Sequence, residues 1–318
     1  MEAPAERIVV GVDGSDGARL ALTWAMGEAA RRRAAVEVLT AFPIDVYWMD
    51  PYLLDQRWID TVRADTEARA RALVDEVRRT PEVLAQPAAD DVDVAVLSCA
   101  GSAAAHLVAR ADGADLLVVG SRGRGGVRSA VAGSVALHCA AHAPCAVVVV
   151  HPDAVPVAEP PRVVVGVDDS DHARRALAAA VTEAARLGAR VDAVLAYQAP
   201  NYWSDLYAIT MPPGGETEDA ALRRGRGIVA EVLGDEGAAA VHVVAVEGHP
   251  ARVLMRQAEG ARLLVLGSRS RNQLEGVILG SVALHAVMHA PCPVLVVHPP
   301  GSGRSPAPQQ AAAAPATG

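Results

Sequence analysis

Residues 7–18 read RIVVGVDGSDGA, and residues 162–173 read RVVVGVDDSDHA. A continuous apolar run ending in Gly-Val-Asp, with a serine just beyond, is the pattern of a strand covered on both faces that turns directly into a helix. Working outward, the repetition continues. Residues 115–121 (DLLVVGS) return as 262–268 (RLLVLGS), and 133–152 (GSVALHCAAHAPCAVVVVHP) return as 280–299 (GSVALHAVMHAPCPVLVVHP). The first stretch recurs after 155 residues and the last after 147, so the first copy is eight residues longer between its second and third strands. A period of this length marks tandem domains and is too long for a solenoid. The domains are expected at 1–150 and 162–298. Residues 151–161, HPDAVPVAEPP, carry four prolines and read as an extended linker. Residues 299–318 have little to bury and are expected to be disordered.

Within the first copy strand and helix alternate: strands at 7–12, 35–42, 92–98, 115–120 and 145–150, helices at about 16–33, 59–80, 102–112 and 134–142. The second copy places strands near 162–167, 190–197, 241–246, 262–267 and 292–297. Runs such as IVVGV, LLVVG and AVVVV suit a parallel sheet with helices on both faces.

The chain has 318 residues, 29 basic against 37 acidic, and a formal net charge of −8. A general nucleic-acid binder depends on surplus cations to neutralise phosphates, so that class is excluded. All the basic residues are arginine. Without lysine there is no Schiff-base chemistry and no GxxxxGK[ST] phosphate loop. Any phosphate must be held by backbone N–H groups, hydroxyls or arginine. The N-terminus lacks a basic segment followed by an apolar one, and no apolar run approaches the ~20 residues of a membrane span. A soluble, cytoplasmic protein with no membrane or nucleic-acid partner is expected. Cys99, Cys139, Cys145 and Cys292 form no CxxC pair and read as small buried hydrophobes.

In an open parallel sheet, ligands bind beyond the carboxyl ends of the strands where strand order reverses. There the first strand ends in Gly11-Val12-Asp13-Gly14-Ser15, and the fourth in Gly120-Ser121-Arg122-Gly123-Arg124-Gly125-Gly126, with Gly133-Ser134 opening the next helix. Loop glycines permit close backbone approach and positive φ, and consecutive N–H groups form an anion nest. The helix N-terminus adds free donors and partial positive charge, and Arg122, Arg124 and Arg128 add full charges. The alternative is an ordinary glycine-rich connection solvated by arginines. Asp13 and Asp168 read either as acceptors for an adenine amino group or ribose hydroxyl, or as part of a helix cap with Ser15 and Ser170.

Gly120, Gly123, Gly133 and Ser134 fit the pattern G-x2-G-x9-G-[ST]. With Asp13 and the terminal HAPC-VVVV strand, they make the chain resemble the universal stress protein family in its tandem two-domain form, over residues 7–298. The resemblance implies two Rossmann-like α/β domains (adenine nucleotide alpha hydrolase-like), each with sheet order 3-2-1-4-5. It also implies ATP as ligand, with or without Mg²⁺, pairing of the domains through their fifth strands, and a homodimer as an open possibility. By position, Gly11, Val12 and Asp13 would meet the adenosine end and Ala41 the base, while Gly120, Arg122, Gly123, Gly133, Ser134, Val135 and Ala136 would hold ribose and phosphates. The corresponding second set is Gly166, Val167, Asp168, Ala196, Gly267, Arg269, Gly280, Ser281, Val282 and Ala283. Ser270 stands where the second motif glycine belongs, and Glu275 adds negative charge, so weaker or no ATP binding is expected there.

The expected role is a non-catalytic nucleotide sensor or regulator in stress response or dormancy. The alternatives are a slow ATPase at the same site and a nucleotide-free interaction protein. No catalytic residue is assigned: Ser121 and Ser268 lack a G-x-S-x-G elbow. Nine of ten aromatics (Phe42, Tyr47, Trp48, Tyr52, Trp58, Tyr197, Tyr202, Trp203, Tyr207) fall at or just after the second strand of each copy. They read as glue for the crossover, or as a flap or contact surface. The pairs His138/His142 and His285/His289 have chelating spacing but no intervening Glu; packing near a helix C-terminus is the reading preferred to a metal site.

Overall fold

In the computed structural model, residues 6–42, 56–123, 133–155, 157–198, 217–269 and 279–299 are described. The first half runs β1 (Arg7–Val12), α1 (Asp16–Arg32), β2 (Ala35–Phe42), α2 (Gln56–Val77), α3 (Pro81–Leu84), β3 (Val94–Ala100), α4 (Ala103–Arg110), β4 (Leu116–Gly120), α5 (Ser134–His142) and β5 (Ala146–Val150). The second runs β6 (Arg162–Gly166), α6 (Asp171–Leu187), β7 (Arg190–Tyr197), α7 (Glu218–Ala239), β8 (Val241–Glu247), α8 (Pro250–Gln257), β9 (Leu263–Gly267), α9 (Ser281–His289) and β10 (Val294–Val297).

One ten-stranded sheet has the order β3-β2-β1-β4-β5-β10-β9-β6-β7-β8. Each half is parallel with order 3-2-1-4-5, and the halves meet at β5 and β10, which run antiparallel with Val147, Val148 and Val149 opposite Val296, Leu295 and Val294. Strand residues alternate between two cores that run through both halves. Ile8, Val10, Val118, Val148 and Leu295 face α1, α2, α6 and α7, whereas Val9, Leu117, Val119, Val147 and Val294 face α4, α5, α8 and α9. Burial on both faces is the reason these strands are unbroken runs of Val, Ile and Leu.

Two expected elements are adjusted. The helix expected to reach residue 80 stops at Val77, because Pro81 cannot continue it and instead opens α3 with Thr80 as its N-cap. The third strand starts at Val94, two residues later than expected, after the turn at Asp90 and Asp91. Among the described residues no helix is long and apolar enough to cross a membrane.

Beyond the strand pair, each half grips the other through its terminal histidine. His151, following β5, lies 3.0 Å from the Val287 carbonyl of α9, and His298, following β10, lies 2.9 Å from the Ala140 carbonyl of α5. Neutral imidazoles donating Nε2–H pair with these carbonyls, while Nδ1 of each ring is buried with no hydrogen-bond partner among the described residues. Burial is the main reason both rings are held below the ordinary histidine range.

Candidate functional site

The carboxyl ends of β1 and β4 lie side by side at the point where strand order reverses. Asp13 follows β1 directly. Its Oδ1 accepts from the Ser15 backbone N–H at 3.0 Å and from the Ser15 hydroxyl at 2.6 Å. Ser15 in turn is the N-cap of α1, accepting from Ala18 N–H at 3.2 Å. So Ser15 is the cap, and Asp13 orients it from two residues upstream. The second half repeats this: Asp168 accepts from Ser170 N–H at 2.9 Å and from the Ser170 hydroxyl, and Ser170 caps α6.

From β4 the backbone passes close over α1. A Cβ on Gly120 would lie 2.6 Å from Gly17 O, and one on Gly17 would lie 2.3 Å from Arg122 O. A Cβ on Gly123 would lie 2.5 Å from Asp13 Oδ2. Gly133 N–H, just before α5, donates to Ser121 O at 2.7 Å, while Ser121 N–H donates to Val150 O at 2.8 Å. Asp13, Gly120, Ser121, Gly123 and Gly133 are thus one neighbourhood, opening onto the start of α5. None of the described loop glycines 120, 123 and 133 has positive φ. That corrects one expectation: Gly120 and Gly123 serve close approach rather than left-handed backbone, Gly133 has room for a Cβ, and positive φ is found instead at Gly14, where φ is 79°.

The helices after the two motifs have glycine at the N-cap, whereas α3 and α8, which also lack a side-chain cap bond, have Thr80 and His249 there. Ser or Thr side chains cap α1, α4, α6 and α7, whereas α5 and α9 have Gly133 and Gly280 at the N-cap with no side-chain cap bond. The first N–H groups at Ser134, Val135 and Ala136, and at Ser281, Val282 and Ala283, have no intrahelical acceptor by construction. This is the donor set and dipole end that suits an anion. The Ser121 hydroxyl is buried and has no hydrogen-bond partner among the described residues.

Arg122 is exposed and pairs with Asp153 at 2.8 Å. An exposed pair of this kind is worth at most about 1 kcal/mol, so the guanidinium is available for exchange to a phosphate. Gly11 packs beneath the site against Leu107. Val12 is buried, and Ala41 is half-buried one residue past the Val12–Thr40 register pair. In the second half Gly166 packs against Leu254 and Leu266 and Val167 is buried, while Ala196 is half-buried and Arg269 exposed. The equivalent of Gly17 is His172, whose backbone lies 2.7 Å from a Cβ placed on Gly267. Arg124, Gly125, Gly126, Arg128, Ser270 and Glu275 lie outside the described residues, as do Tyr47, Trp48, Tyr52, Tyr202, Trp203 and Tyr207 and the segment 300–318. Phe42 is in the core and Tyr197 packs against it.

The family model of the universal stress protein family matches residues 4–151 and again residues 160–298. The chain belongs to the universal stress protein family. A universal stress protein of Mycobacterium tuberculosis is 32% identical over 296 residues, covering 91% of this chain and 96% of its own length. A universal stress protein of Mycolicibacterium smegmatis is 31% identical over 301 residues, covering 92% and 97%. The crystal structure of a universal stress protein from Archaeoglobus fulgidus shares the fold, with TM-score 0.65 at 22% identity over 93% of this chain and 99% of that one.

Sequence reading missed Gly17. Its role is a backbone contact with a strand more than a hundred residues away, and the only signal is that His172 replaces it in the second copy. It also missed His151 and His298, which stand in plain sight after each terminal strand but whose acceptors belong to the opposite half. The pairs His138/His142 and His285/His289 do lie together, with ring centroids 4.3 and 4.9 Å apart. His142 Nδ1 is 2.9 Å from the His138 carbonyl, a contact within its own helix end. Among the described residues no group of three or more His, Cys, Asp or Glu is placed to hold a metal.

Proposed function

We propose that the first half of this universal stress protein binds ATP, and that the chain works as a nucleotide-responsive regulator in stress or dormancy. One observation supports this above the others. The uncapped N-terminus of α5, the backbone bond between Gly133 and Ser121, and the Asp13 carboxylate beside Gly123 lie together at the strand-order switch. In the proposed pose the N–H groups from Ser134 to Ala136 and the Ser134 hydroxyl hold phosphates. Arg122 leaves Asp153 to add a full charge. Asp13 accepts from the adenosine end and Ala41 lines the base. All these residues come from one half, so the site needs no second chain. With or without Mg²⁺, the grip on phosphate comes from amides and arginine, because no lysine is present.

The second half keeps Asp168, Arg269 and the uncapped start of α9, with Gly267, Gly280, Ser281, Val282 and Ala283 in the matching places. His172 occupies the place where Gly17 lets the β4 loop settle onto α1, and we propose weaker or no ATP binding there. The pairing through β5 and β10 makes the two halves one working unit. Equilibrium dialysis of the intact chain with labelled ATP tests the reading: saturable binding near one nucleotide per chain supports it. No binding at millimolar ATP favours a nucleotide-free interaction protein. Phosphate release that depends on Asp13 would favour the slow ATPase.

A further inference from the structure

Where α1 of the first half meets α6 of the second, six ionic side chains form one cluster, with three of them buried and Glu6 and Arg186 at its partly exposed rim. Glu28 is 1% exposed, Arg32 6% and Glu183 8%. Glu28 and Glu183 are 155 residues apart, as are Arg31 and Arg186, so these four are related by the repeat. Arg31 binds its own Glu28 at 2.8 Å and Arg186 its own Glu183 at 3.0 Å. The remaining two break the symmetry. Arg32 donates from Nε to Glu28 and at 2.7 Å to Glu183 in the other half, and it also reaches Glu6 at 3.2 Å. Glu6 in turn accepts from Arg186 at 3.0 Å. The repeat-related positions of Arg32 and Glu6 are Leu187 and Pro161, neither of which can take part.

We infer that Arg32 is the selectivity residue of the interface between the halves: it makes the first half the required partner of the second and denies the second half's face to another second half. Two carboxylates related by the repeat axis are brought together in a buried place; each is bonded to its own i,i+3 arginine, and Arg262 adds a more distant charge near Glu28. A third cation between them neutralises the encounter, and only the first half supplies it. Were two second halves to pair, Glu183 would face its own copy across Leu187, with no shared guanidinium and no Glu6 arm to steady Arg186. Burying such under-paired carboxylates opposes the association, and specificity arises from that penalty as much as from the favourable contact. The consequence is a closed tandem unit whose interface is saturated within one chain. This conclusion is independent of the nucleotide reading.

The experiment uses the full chain and hydrogen exchange of the amides in β5 and β10, with β2 amides as internal control. Opening of the interface exposes β5 and β10 without unfolding β2. Breaking a buried pair costs enough to raise the opening equilibrium about 10²–10³-fold, so Arg32→Leu should lower protection in β5 and β10 by that factor. The exchange variant Arg32→Leu/Leu187→Arg moves the cation to the repeat-related position, within i,i+4 reach of Glu183, and should recover at least tenfold of the loss. If Arg32→Leu does not fold, Arg32→Gln and its pairing with Leu187→Arg give the same comparison. Unchanged protection in the single variant, or an exchange variant no better protected than the single one, overturns the inference.

Discussion

Replacing Gly120 and Gly123 singly by alanine separates the part of the β4 loop that supports the fold from the part that meets the ligand. At position 120 the new methyl would lie 2.6 and 2.7 Å from the O and C of Gly17 and 3.2 Å from Ala18 N. All three are backbone atoms of the first turn of α1, fixed by the Ser15 cap, so α1 and β4 must move apart by more than half an ångström. Overpacking of this kind costs about 1–3 kcal/mol. At about 2–4 °C per kcal/mol for a domain of this size, Gly120→Ala should lower the melting temperature by several degrees. At position 123 the methyl meets Asp13 Oδ2 at 2.5 Å, the far end of a side chain that can turn. Turning it loosens the bonds from Ser15, at a cost of about 1 kcal/mol. The same movement removes the acceptor proposed for the adenosine end, a hydrogen bond to a charged group worth about 1.5–3 kcal/mol, or roughly a tenfold to hundredfold loss of affinity. The assay is scanning calorimetry of each variant with and without ATP, since a ligand that binds only the native state raises the midpoint in proportion to its occupancy. Gly123→Ala should melt near wild type but lose most of the ATP-induced shift. A Gly123→Ala protein with the full shift would refute the assignment of Asp13 and Gly123 to the site.

Other outcomes follow from the same geometry. His151 and His298 are held below the usual 6.5 mainly by burial, so the unfolded chain takes up their protons first. Their contribution to stability is complete above about pH 6.5 and declines as pH falls below it; melting curves should show this limb, and His151→Asn/His298→Asn should flatten it. Burial pushes Cys139, Cys145 and Cys292 up to about 12, so a thiol reagent at pH 8 should leave these three unmodified until denaturant is added. Ser15→Ala removes the cap of α1 and a donor to Asp13; it should destabilise by about 0.5–2 kcal/mol in urea titration, whereas Ser134→Ala, at an N-terminus without a side-chain cap, should lower ATP affinity with little loss of stability.

The fold was legible because its signals are local and repeated. Apolar runs such as IVVGV and AVVVV can be buried on both faces only in a parallel sheet, and the second copy supplied an independent reading of each element. Boundaries were less legible where competing signals overlap, as at Val77, where a helical pattern continues to Thr80 but Pro81 decides the stop. At the site, the spacing of Gly120, Gly123 and Gly133 marked the loop, but the reason for the glycines did not follow from spacing. Gly120 and Gly123 admit Gly17 and Asp13, residues in the first helix and at the end of the first strand, more than a hundred positions away. The interface cluster was invisible for the same reason. Nothing local in the sequence marks Glu28 and Arg32, because the ion pair of Arg32 with Glu183 forms only when α6 lies against α1. Burial would raise the Glu28 carboxyl, but the Arg32 and Arg31 guanidiniums reverse this and hold it low, whereas burial keeps Glu183 high.

If backbone amides at the start of α5, with Asp13 beside Gly123, hold one adenine nucleotide in the first half as proposed, ATP must bind the intact chain one to one. Isothermal calorimetry of ATP into the intact wild-type chain and into Gly123→Val addresses it most directly. Saturable heat with a stoichiometry near one is expected for the wild type and none for the variant. Absence of heat in the wild type, or an isotherm unchanged by Gly123→Val, would contradict it.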